Sequence, residues 1–289
     1  MSEHFIKNIE IKEYKLFNDF KAEGFGRVNL IGGKNNVGKT AFMEACYLSN
    51  KKKRNDNLKQ IIVSRYLADI FMDLLDEVGE KYINKFIHKK AEEYNNIDIT
   101  TNQNNNNINL VFKNANKSNK NNFEQLYSKI IENELEIQLD NYIRTFDASI
   151  EKIRIINGEP HCKQVDKFYN LNEFGDGLAK YISFIMHLLA NKNSIILIDE
   201  IENGIHYTNF DKLWELILTI SKEQNVQVFA TTHSKECIES YARVAKKLED
   251  KEIAFIEMGI NKYNKPRAIV MDSDRFYDEL EIGNEVRGW

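Results

Sequence analysis

The chain has 289 residues, of which 42% are apolar and 29% charged, and its net charge is −4. These values are typical of a folded soluble protein, and they exclude a molecule that binds nucleic acid through overall basic charge, although a local basic patch stays open. No apolar run is long enough to span a bilayer, and the N-terminus lacks the apolar core of a signal peptide. We therefore expect a cytoplasmic protein without a membrane partner.

Three cysteines, Cys46, Cys162 and Cys237, lie far apart and lack metal-ligand spacing. They predict small buried side chains in a reducing compartment. The length is long for one domain and short for three, so we expect one large α/β domain that carries an insertion. The predicted core covers residues 1–50 and 146–289. The predicted insertion covers 51–145 and is mainly helical, with short strands and Asn-rich loops.

The sharpest motif is Gly33–Thr40, which reads GKNNVGKT and fits the phosphate-binding loop pattern. It follows the strand-like run Arg27–Ile31 and precedes the predicted helix Ala41–Leu48. Upstream, residues 5–16 predict one earlier strand, and the glycines at 24–26 mark the turn between the two strands. The strand–loop–helix order is the setting in which this motif binds phosphate, because the helix N-terminus then faces the anion.

Each position of the loop has a chemical reason. Gly33 and Gly38 let the backbone turn tightly and bring its N–H groups close to phosphates. Lys39 can reach the β- and γ-phosphates, and the Thr40 hydroxyl can bind Mg²⁺. We predict ATP and Mg²⁺ as ligands. The residues predicted to contact the nucleotide are Gly33, Lys34, Asn35, Asn36, Val37, Gly38, Lys39, Thr40 and Ala41.

The run Lys51–Arg54 places four basic residues together after the first helix. It is either a solvated linker or a contact for nucleic acid or an acidic partner, and both interpretations stay open. Further elements of the insertion follow from periodicity and loop composition. They are a helical run over 57–94 that Gly79 breaks or bends, strands at 97–101 and 108–112, Asn-rich loops at 102–107 and 113–122, and a helix over 123–139.

The second half of the chain alternates apolar strands with helical runs, which indicates an α/β sheet. The predicted strands are 150–156, 194–198, 226–230, 253–257 and 268–271. The predicted helices are 178–189, 208–223, 235–248 and 275–282. Asp272 and Asp274 precede the last of these helices and are expected to form a cap or turn.

Two strand ends in this half carry polar side chains. Asp199 and Glu200 follow the strand 194–198, and ligand sites in α/β sheets lie at such carboxyl ends. A Mg²⁺ role suits Asp199, and Glu200 is then placed to activate the attacking water. His233 follows another buried strand and could hydrogen-bond the γ-phosphate or the water. His206 has no such support, so we expect it in a loop or an interface.

Four segments together carry a family resemblance: GKNNVGKT, NEFGDGLAK, SIILIDEIENGIHY and VFATTHSKECIE. Their order and spacing resemble those of ABC-type ATPases of the OLD (overcoming-lysogenization-defect) and SMC-like group, over about 1–50 and 165–245. The chain is most similar to small bacterial OLD-like proteins of the AAA type. The resemblance implies a P-loop NTPase with an ABC-ATPase-type mixed sheet and a homodimer, or an assembly of such dimers, that sandwiches ATP.

The resemblance also implies roles for individual residues. Lys39 and Thr40 match the Walker A motif, Asp199 and Glu200 match Walker B with its catalytic glutamate, and His233 matches the switch histidine. The signature loop, which reaches the γ-phosphate of the opposite subunit, matches 172–177 through Asn172, Gly175 and Gly177. The D-loop at the dimer seam matches Asn203–Ile205.

The chain departs from the family pattern at several places. Asn172 stands where the signature has Ser, although an amide can still donate a hydrogen bond. Gln60, inside a helical run, is a weak candidate for the Q-loop glutamine. Full OLD proteins carry a C-terminal Toprim nuclease, and the residues after this core hold no acidic cluster of that kind.

Three functions remain open at this point. One is an ATPase whose dimerisation controls a separate effector, such as a Toprim-type nuclease, or a nucleic acid, in phage defence. Another is the nucleotide-binding subunit of a membrane transporter, which the divergent signature, the large insertion and the lack of a clear Q-loop disfavour. The third is a nucleotide-locked scaffold with little turnover.

Overall fold

The computed structural model describes residues 5–66, 77–92, 94, 97–102, 108–111 and 120–282. Its helices are α1 (Lys39–Leu48), α2 (Arg54–Tyr66), α3 (Glu77–Glu92), α4 (Lys120–Glu132), α5 (Glu136–Phe146), α6 (Asp176–Ala190), α7 (Phe210–Glu223), α8 (Lys235–Lys247) and α9 (Ser273–Glu281). Its strands are β1 (Asn8–Tyr14), β2 (Phe17–Glu23), β3 (Val28–Gly33), β4 (Asp98–Thr101), β5 (Ile108–Val111), β6 (Lys152–Ile156), β7 (Glu159–Gln164), β8 (Lys167–Asn170), β9 (Ile195–Ile198), β10 (Gln227–Thr231), β11 (Ile253–Ile260) and β12 (Pro266–Asp272).

The main sheet has the strand order β12-β11-β3-β10-β9-β5. Neighbours from β11 to β5 pair in parallel, and β12 pairs antiparallel with β11. This is the mixed α/β sheet that the sequence predicts. Because β3 and β9 both flank β10, the ends of these three strands meet at one edge of the sheet.

The central strands β3, β9 and β10 of the main sheet are buried on both faces, and alternate residues of one strand enter different cores. Ile196 and Ile198 of β9 pack in the core formed with α6, α7 and α8. Ile195 and Leu197 pack in the core formed with α1 and the β1–β2 hairpin. The continuous apolar run of β9 follows from this arrangement, since a strand covered on both sides has no solvent face.

Two antiparallel sheets flank the main one, and the sequence patterns missed strands in both. Residues 5–16 predict a single strand, whereas the structure has the hairpin β1–β2, joined to β4. Asp19 adopts a positive φ of 53°, so the burial alternation of β2 breaks between Phe17 and Phe20. In the sheet β6-β7-β8, Cys162 is the buried position of β7, so an apolar alternation is absent there.

The predicted insertion, residues 51–145, contributes strands to these sheets. β4 pairs with β1, and β5 pairs in parallel with β9 of the main sheet. Helices α4 and α5 also contact α6. The main sheet is therefore built from both sides of the boundary that composition suggested at residue 145.

Several local predictions change in the structure. Gly79 lies inside α3, so it does not break that helix, while 67–76 of the predicted helical run lie outside the described residues. The helix predicted over 123–139 is two helices, α4 and α5, separated at Glu134 by a positive φ of 57°. The Asn-rich loops at 103–107 and 113–119 also lie outside the described residues.

The basic run Lys51–Arg54 does not act as a unit. The Arg54 guanidinium donates to the carbonyls of Leu48, Ile97 and Ile99, so it joins α2 to the segment before β4. The three lysines before it are exposed. Arg54 therefore has a structural role, while the three exposed lysines fit either a solvated turn or a contact with nucleic acid or an acidic partner, and both interpretations stay open.

Three further predictions concern burial, capping and the membrane. All three cysteines are buried and free, as expected. Asp272 caps α9 by accepting a hydrogen bond from the Arg275 amide, which confirms its predicted role. Within the part of the chain that the structure describes, every helix is too short or too polar to cross a bilayer.

Candidate nucleotide site

The site lies where β3, β9 and β10 end. Thr231 at the end of β10 pairs with Ile31, and Ala230 pairs with Ile198. The residues that follow these strands are the phosphate loop Gly33–Thr40, the acidic pair at 199–200 and His233. Parallel pairing therefore brings together the three motifs that the sequence separates by up to about 200 positions.

The phosphate loop needs its glycines for two reasons. Gly33 has a φ of 144°, and a Cβ there would lie 2.3 Å from the carbonyl oxygen of Met258. Gly38 has a φ of 103° and caps α1, whose first residue is Lys39. A side chain at Gly38 would also press against Leu16 and Phe17 of the β1–β2 hairpin. The loop is therefore fixed in shape by its own chain.

The Lys39 ammonium is held inside this loop. It donates to the carbonyls of Gly33 and Lys34, each at 2.7 Å, and lies 3.3 Å from Nδ1 of His233. The residue is only 5% exposed, and burial lowers the pKa of Lys39 from 10.5 to about 8, against the opposing effect of nearby carboxylates. At neutral pH Lys39 is still charged, so it can exchange these carbonyls for phosphate oxygens.

Asp199 is fixed by two hydroxyl groups. Thr231 donates to its Oδ1 at 2.6 Å, and the Thr40 hydroxyl lies 3.2–3.3 Å from both carboxylate oxygens. The carboxylate thus faces the hydroxyl at the start of α1, on the side where phosphates would bind. Carboxylate and hydroxyl oxygens are ligands that Mg²⁺ prefers, so this pair fits the metal predicted from the sequence.

Glu200 adopts an uncommon backbone conformation, with a φ of 49°. Its amide donates to the Thr231 hydroxyl at 2.8 Å, which holds the turn after β9 against β10. A left-handed conformation is uncommon for a residue other than glycine, and surrounding contacts must hold it in place. Such residues cluster at functional sites. Thr231 therefore orients both acidic residues at once.

His233 stands between Lys39 and the loop after Asp199. Its backbone N–H donates to Glu202 Oε1 at 2.7 Å. Burial, followed by the charge of Lys39, lowers the pKa of His233 below its ordinary 6.5, although nearby carboxylates oppose this. The ring is therefore neutral at pH 7, so Nδ1 can accept from Lys39 while Nε2 keeps its proton.

The signature loop, Asn172–Gly177, forms a short 3₁₀ turn and the start of α6. Asn170 caps the turn, since its side chain accepts a hydrogen bond from the Asn172 amide, and the Glu173 carboxylate accepts one from the Asn170 amide. Asn172 is exposed, and a Cβ at Gly175 would have no atom within 4 Å. No hydrogen bond described for this loop reaches Gly33–Thr40.

The D-loop candidate, Asn203–Ile205, directly follows the acidic segment. Its first two residues are exposed, while Ile205 is buried. His206 lies next to it in a loop, where its ring nitrogen accepts from the Thr208 amide, as expected of a loop residue. Gln60 lies elsewhere, on α2, and accepts a hydrogen bond from the Tyr47 hydroxyl, so its Q-loop assignment gains no support.

Sequence patterns missed three residues of this region. Thr231 bridges Asp199 and Glu200, Glu202 holds the His233 backbone, and Lys180 of α6 donates to the carbonyl of Asn203. The position of Glu202, two residues after Glu200, is a sequence signal that a further carboxylate lies near the site. Nothing in the sequence alone pairs Lys180 with Asn203.

The fold and this site define an ABC-type P-loop ATPase of the SMC-like and OLD-like group. The chain belongs to the family described as "AAA domain, putative AbiEii toxin, Type IV TA system", which matches residues 51–239. That range contains the signature loop, the acidic pair and His233, while the phosphate loop precedes it.

Two curated relatives show sequence similarity. The chain is 25% identical to an "ATP/GTP phosphatase" of Helicobacter pylori, over 96% of this chain and 98% of that protein. It is 30% identical to an uncharacterized protein of Methanocaldococcus jannaschii, over 39% of this chain and 48% of that protein.

Two solved structures share the fold. An SMC head bound to the C-winged helix domain of ScpA has a TM-score of 0.60 at 12% identity, over 95% of this chain and 99% of that chain. The SMC head domain from Thermotoga maritima has a TM-score of 0.52 at 12% identity, over 92% and 98%. At these identities the likeness concerns the fold alone.

Proposed function

We propose that this ATPase hydrolyses ATP between two copies of the chain and uses the resulting dimer cycle to control a separate effector in phage defence. The observation that carries the proposal is the convergence of Lys39, Asp199, Glu200 and His233 at one sheet edge. A relative over nearly the whole chain is called an ATP/GTP phosphatase, which agrees with hydrolysis.

Each residue has a defined task in this proposal. The Lys39 ammonium gives up its hydrogen bonds to the carbonyls of Gly33 and Lys34 and binds the β- and γ-phosphates as a point charge. Thr40 and Asp199 would hold Mg²⁺, which when bound neutralises phosphate charge. Glu200 orients and deprotonates the attacking water, and neutral His233 donates from Nε2 toward the γ-phosphate.

The surroundings of the two loops support the sandwich arrangement. The phosphate loop is enclosed on its own side by Leu16, Phe17 and Met258. Gly175 of the signature loop is exposed and has open space around it. A second copy, turned so that its signature loop faces this phosphate loop, would complete each site with backbone N–H groups near the γ-phosphate.

The effector is proposed from the family rather than from the site. The family description includes a toxin of a toxin–antitoxin system. A nucleotide-driven change between monomer and dimer can release or activate a separate partner, such as a Toprim-type nuclease or a nucleic acid, since that partner would bind one of the two states better than the other.

Phosphate release with saturating ATP and Mg²⁺ tests the catalytic half of the proposal. Glu200→Gln keeps the size of the side chain but removes the base, so turnover should fall about 10²-fold or more while ATP still binds. Glu132→Gln, on the exposed side of α4, is the matched control and should leave turnover unchanged. Normal hydrolysis by the Glu200 variant would refute the assignment, and wild-type turnover near zero would support the scaffold alternative.

The defence half is tested separately by plating phage on cells that express the chain with its neighbouring genes. Protection should disappear when Lys39→Ala or Glu200→Gln replaces the wild type, because either variant blocks the cycle. Protection that survives both substitutions would contradict control by ATP turnover.

A further inference from the structure

The segment Glu202–Gly204 touches two parts of the site that a sandwich dimer uses differently. On one side lies α6, which begins at the signature loop. On the other side lies His233, which contacts Lys39 of the same chain. Neither contact belongs to the phosphate-binding or acidic motifs themselves.

The first contact joins α6 to this segment. Lys180 is only 4% exposed, and its ammonium donates a hydrogen bond to the carbonyl of Asn203. A buried ammonium is costly unless it is hydrogen-bonded, so this contact fixes Lys180 against the backbone at Asn203.

Close backbone approach reinforces this contact. A Cβ at Gly177 would lie 3.2 Å from the carbonyl oxygen of Gly204, and a Cβ at Gly204 would lie 3.4 Å from Cδ of Lys180. Gly204 also has a φ of 76°, which favours glycine. The first turn of α6 and the segment are thus in close contact through their backbones.

The second contact joins the segment to His233. Glu202 accepts the His233 N–H at 2.7 Å through Oε1. Its other oxygen, Oε2, is buried and lacks a hydrogen-bond partner among the residues that the structure describes. An unpaired buried carboxylate oxygen costs stability, so the retention of this carboxylate also indicates a role in geometry.

We propose that Lys180 and Glu202 are positioning residues that connect the signature helix α6 to His233 through the segment 202–204. This inference rests on the proposed sandwich dimer. When the signature loop engages ATP held by the partner subunit, a shift of α6 reaches Asn203 through Lys180. Glu202 then carries the shift to the His233 backbone, so that each subunit aligns its own histidine in response to the nucleotide of the other site.

A double-mutant cycle on steady-state ATP hydrolysis tests the connection. Lys180→Met and Glu202→Ala should each lower kcat about 10-fold or more, the usual effect of losing a hydrogen bond to a charged group, with KM changed less than about twofold. Because both residues act through one segment, the double variant should lose little more than the worse single variant. Glu202→Gln keeps an oxygen that accepts the His233 N–H and should recover most of the rate.

Lys192→Met and Glu132→Ala are matched controls, since both residues are exposed and lie outside the segment. The inference would be overturned if the factors by which the two single variants lower kcat multiply in the double variant. An effect on KM alone, or an unchanged kcat, would also overturn it. The proposed function is judged in the same assay by Glu200→Gln. If Glu200→Gln is inactive while the effects of the Lys180 and Glu202 substitutions are independent, only the proposed connection fails. A wild-type protein without turnover overturns both the connection and the proposed function.

Discussion

The two loops expected to contact the γ-phosphate are built in opposite ways. In the phosphate loop, a Cβ at Gly33 would meet a backbone oxygen at 2.3 Å, and Lys39 is almost fully buried. In the signature loop, a Cβ at Gly175 would meet nothing within 4 Å. Both glycines have positive φ, so the difference lies in their surroundings rather than in their backbone conformation.

This contrast separates two uses of glycine. At Gly33 the missing side chain lets the chain pack against itself, so folding alone requires it. At Gly175 folding leaves space, so the backbone there is open to the approach of a partner molecule. Changes to the first loop should therefore affect one molecule, and changes to the second should affect how two molecules meet.

The largest expected effect lies in the phosphate loop. Lys39→Ala removes the charge that would bind the β- and γ-phosphates, and ATP affinity should fall about 100-fold or more, in line with the loss of a charge-assisted contact in a buried site. Calorimetric titration with ATP and Mg²⁺ measures this directly. Unchanged binding would show that the nucleotide lies elsewhere.

The next prediction compares alanine at the two glycines. Gly33→Ala forces a side chain against the Met258 carbonyl and should lower the free energy of unfolding by about 3 kcal/mol or more. Gly175→Ala meets no neighbouring atom and has only the cost of a backbone conformation (φ 82°, ψ 165°) that almost only glycine adopts, about 2 kcal/mol. Urea denaturation of both variants without nucleotide gives the two values, and equal losses would contradict the comparison.

A third prediction concerns the bridge between the acidic residues. Thr231→Val keeps the shape but removes the hydroxyl that donates to Asp199 and accepts from the Glu200 amide. Turnover should fall about 10-fold or more, because two hydrogen bonds that orient the site are lost. ATP affinity should change less than turnover, and the ratio of the two effects in hydrolysis and binding assays checks this.

The smallest effect involves the far end of the signature helix. His187 on α6 is half-buried, its Nδ1 lies 2.8 Å from the Ser183 carbonyl, and desolvation of the ring lowers the pKa of His187 below 6.5. The unfolded chain therefore takes up this proton first as the pH falls, so stability is lost below about pH 6.5. His187→Asn keeps a donor in this place and should flatten the fall of the melting temperature between pH 7 and pH 5.

The catalytic motifs could be predicted from sequence because their chemistry fixes residue types at short spacing. The structure places Lys39 against His233 and Thr40 against Asp199, as expected for residues that follow neighbouring parallel strands. The buried β9 was equally clear, because both of its faces are covered.

Other features depend on which elements become neighbours, and no local pattern records that. Thr231 reaches the acidic pair only because β10 lies beside β9, and Lys180 reaches the Asn203 carbonyl only where α6 meets the segment after Glu200. β2 was missed because Asp19 interrupts its alternation, and β7 because one buried cysteine is a weak strand signal. β5 belongs to the main sheet although composition places it in an insertion.

The central claim is that ATP joins two copies through the signature loop, and light scattering of Glu200→Gln with ATP and Mg²⁺ tests it most directly. This variant should form a dimer that disappears without ATP, since bound nucleotide stabilises the assembled state. Adding Gly175→Leu should return it to the monomer. Adding Gly158→Leu, at an open turn glycine with a similar φ of 76°, should leave the dimer intact. An assembly that ignores ATP, or that responds equally to both leucines, would contradict the account.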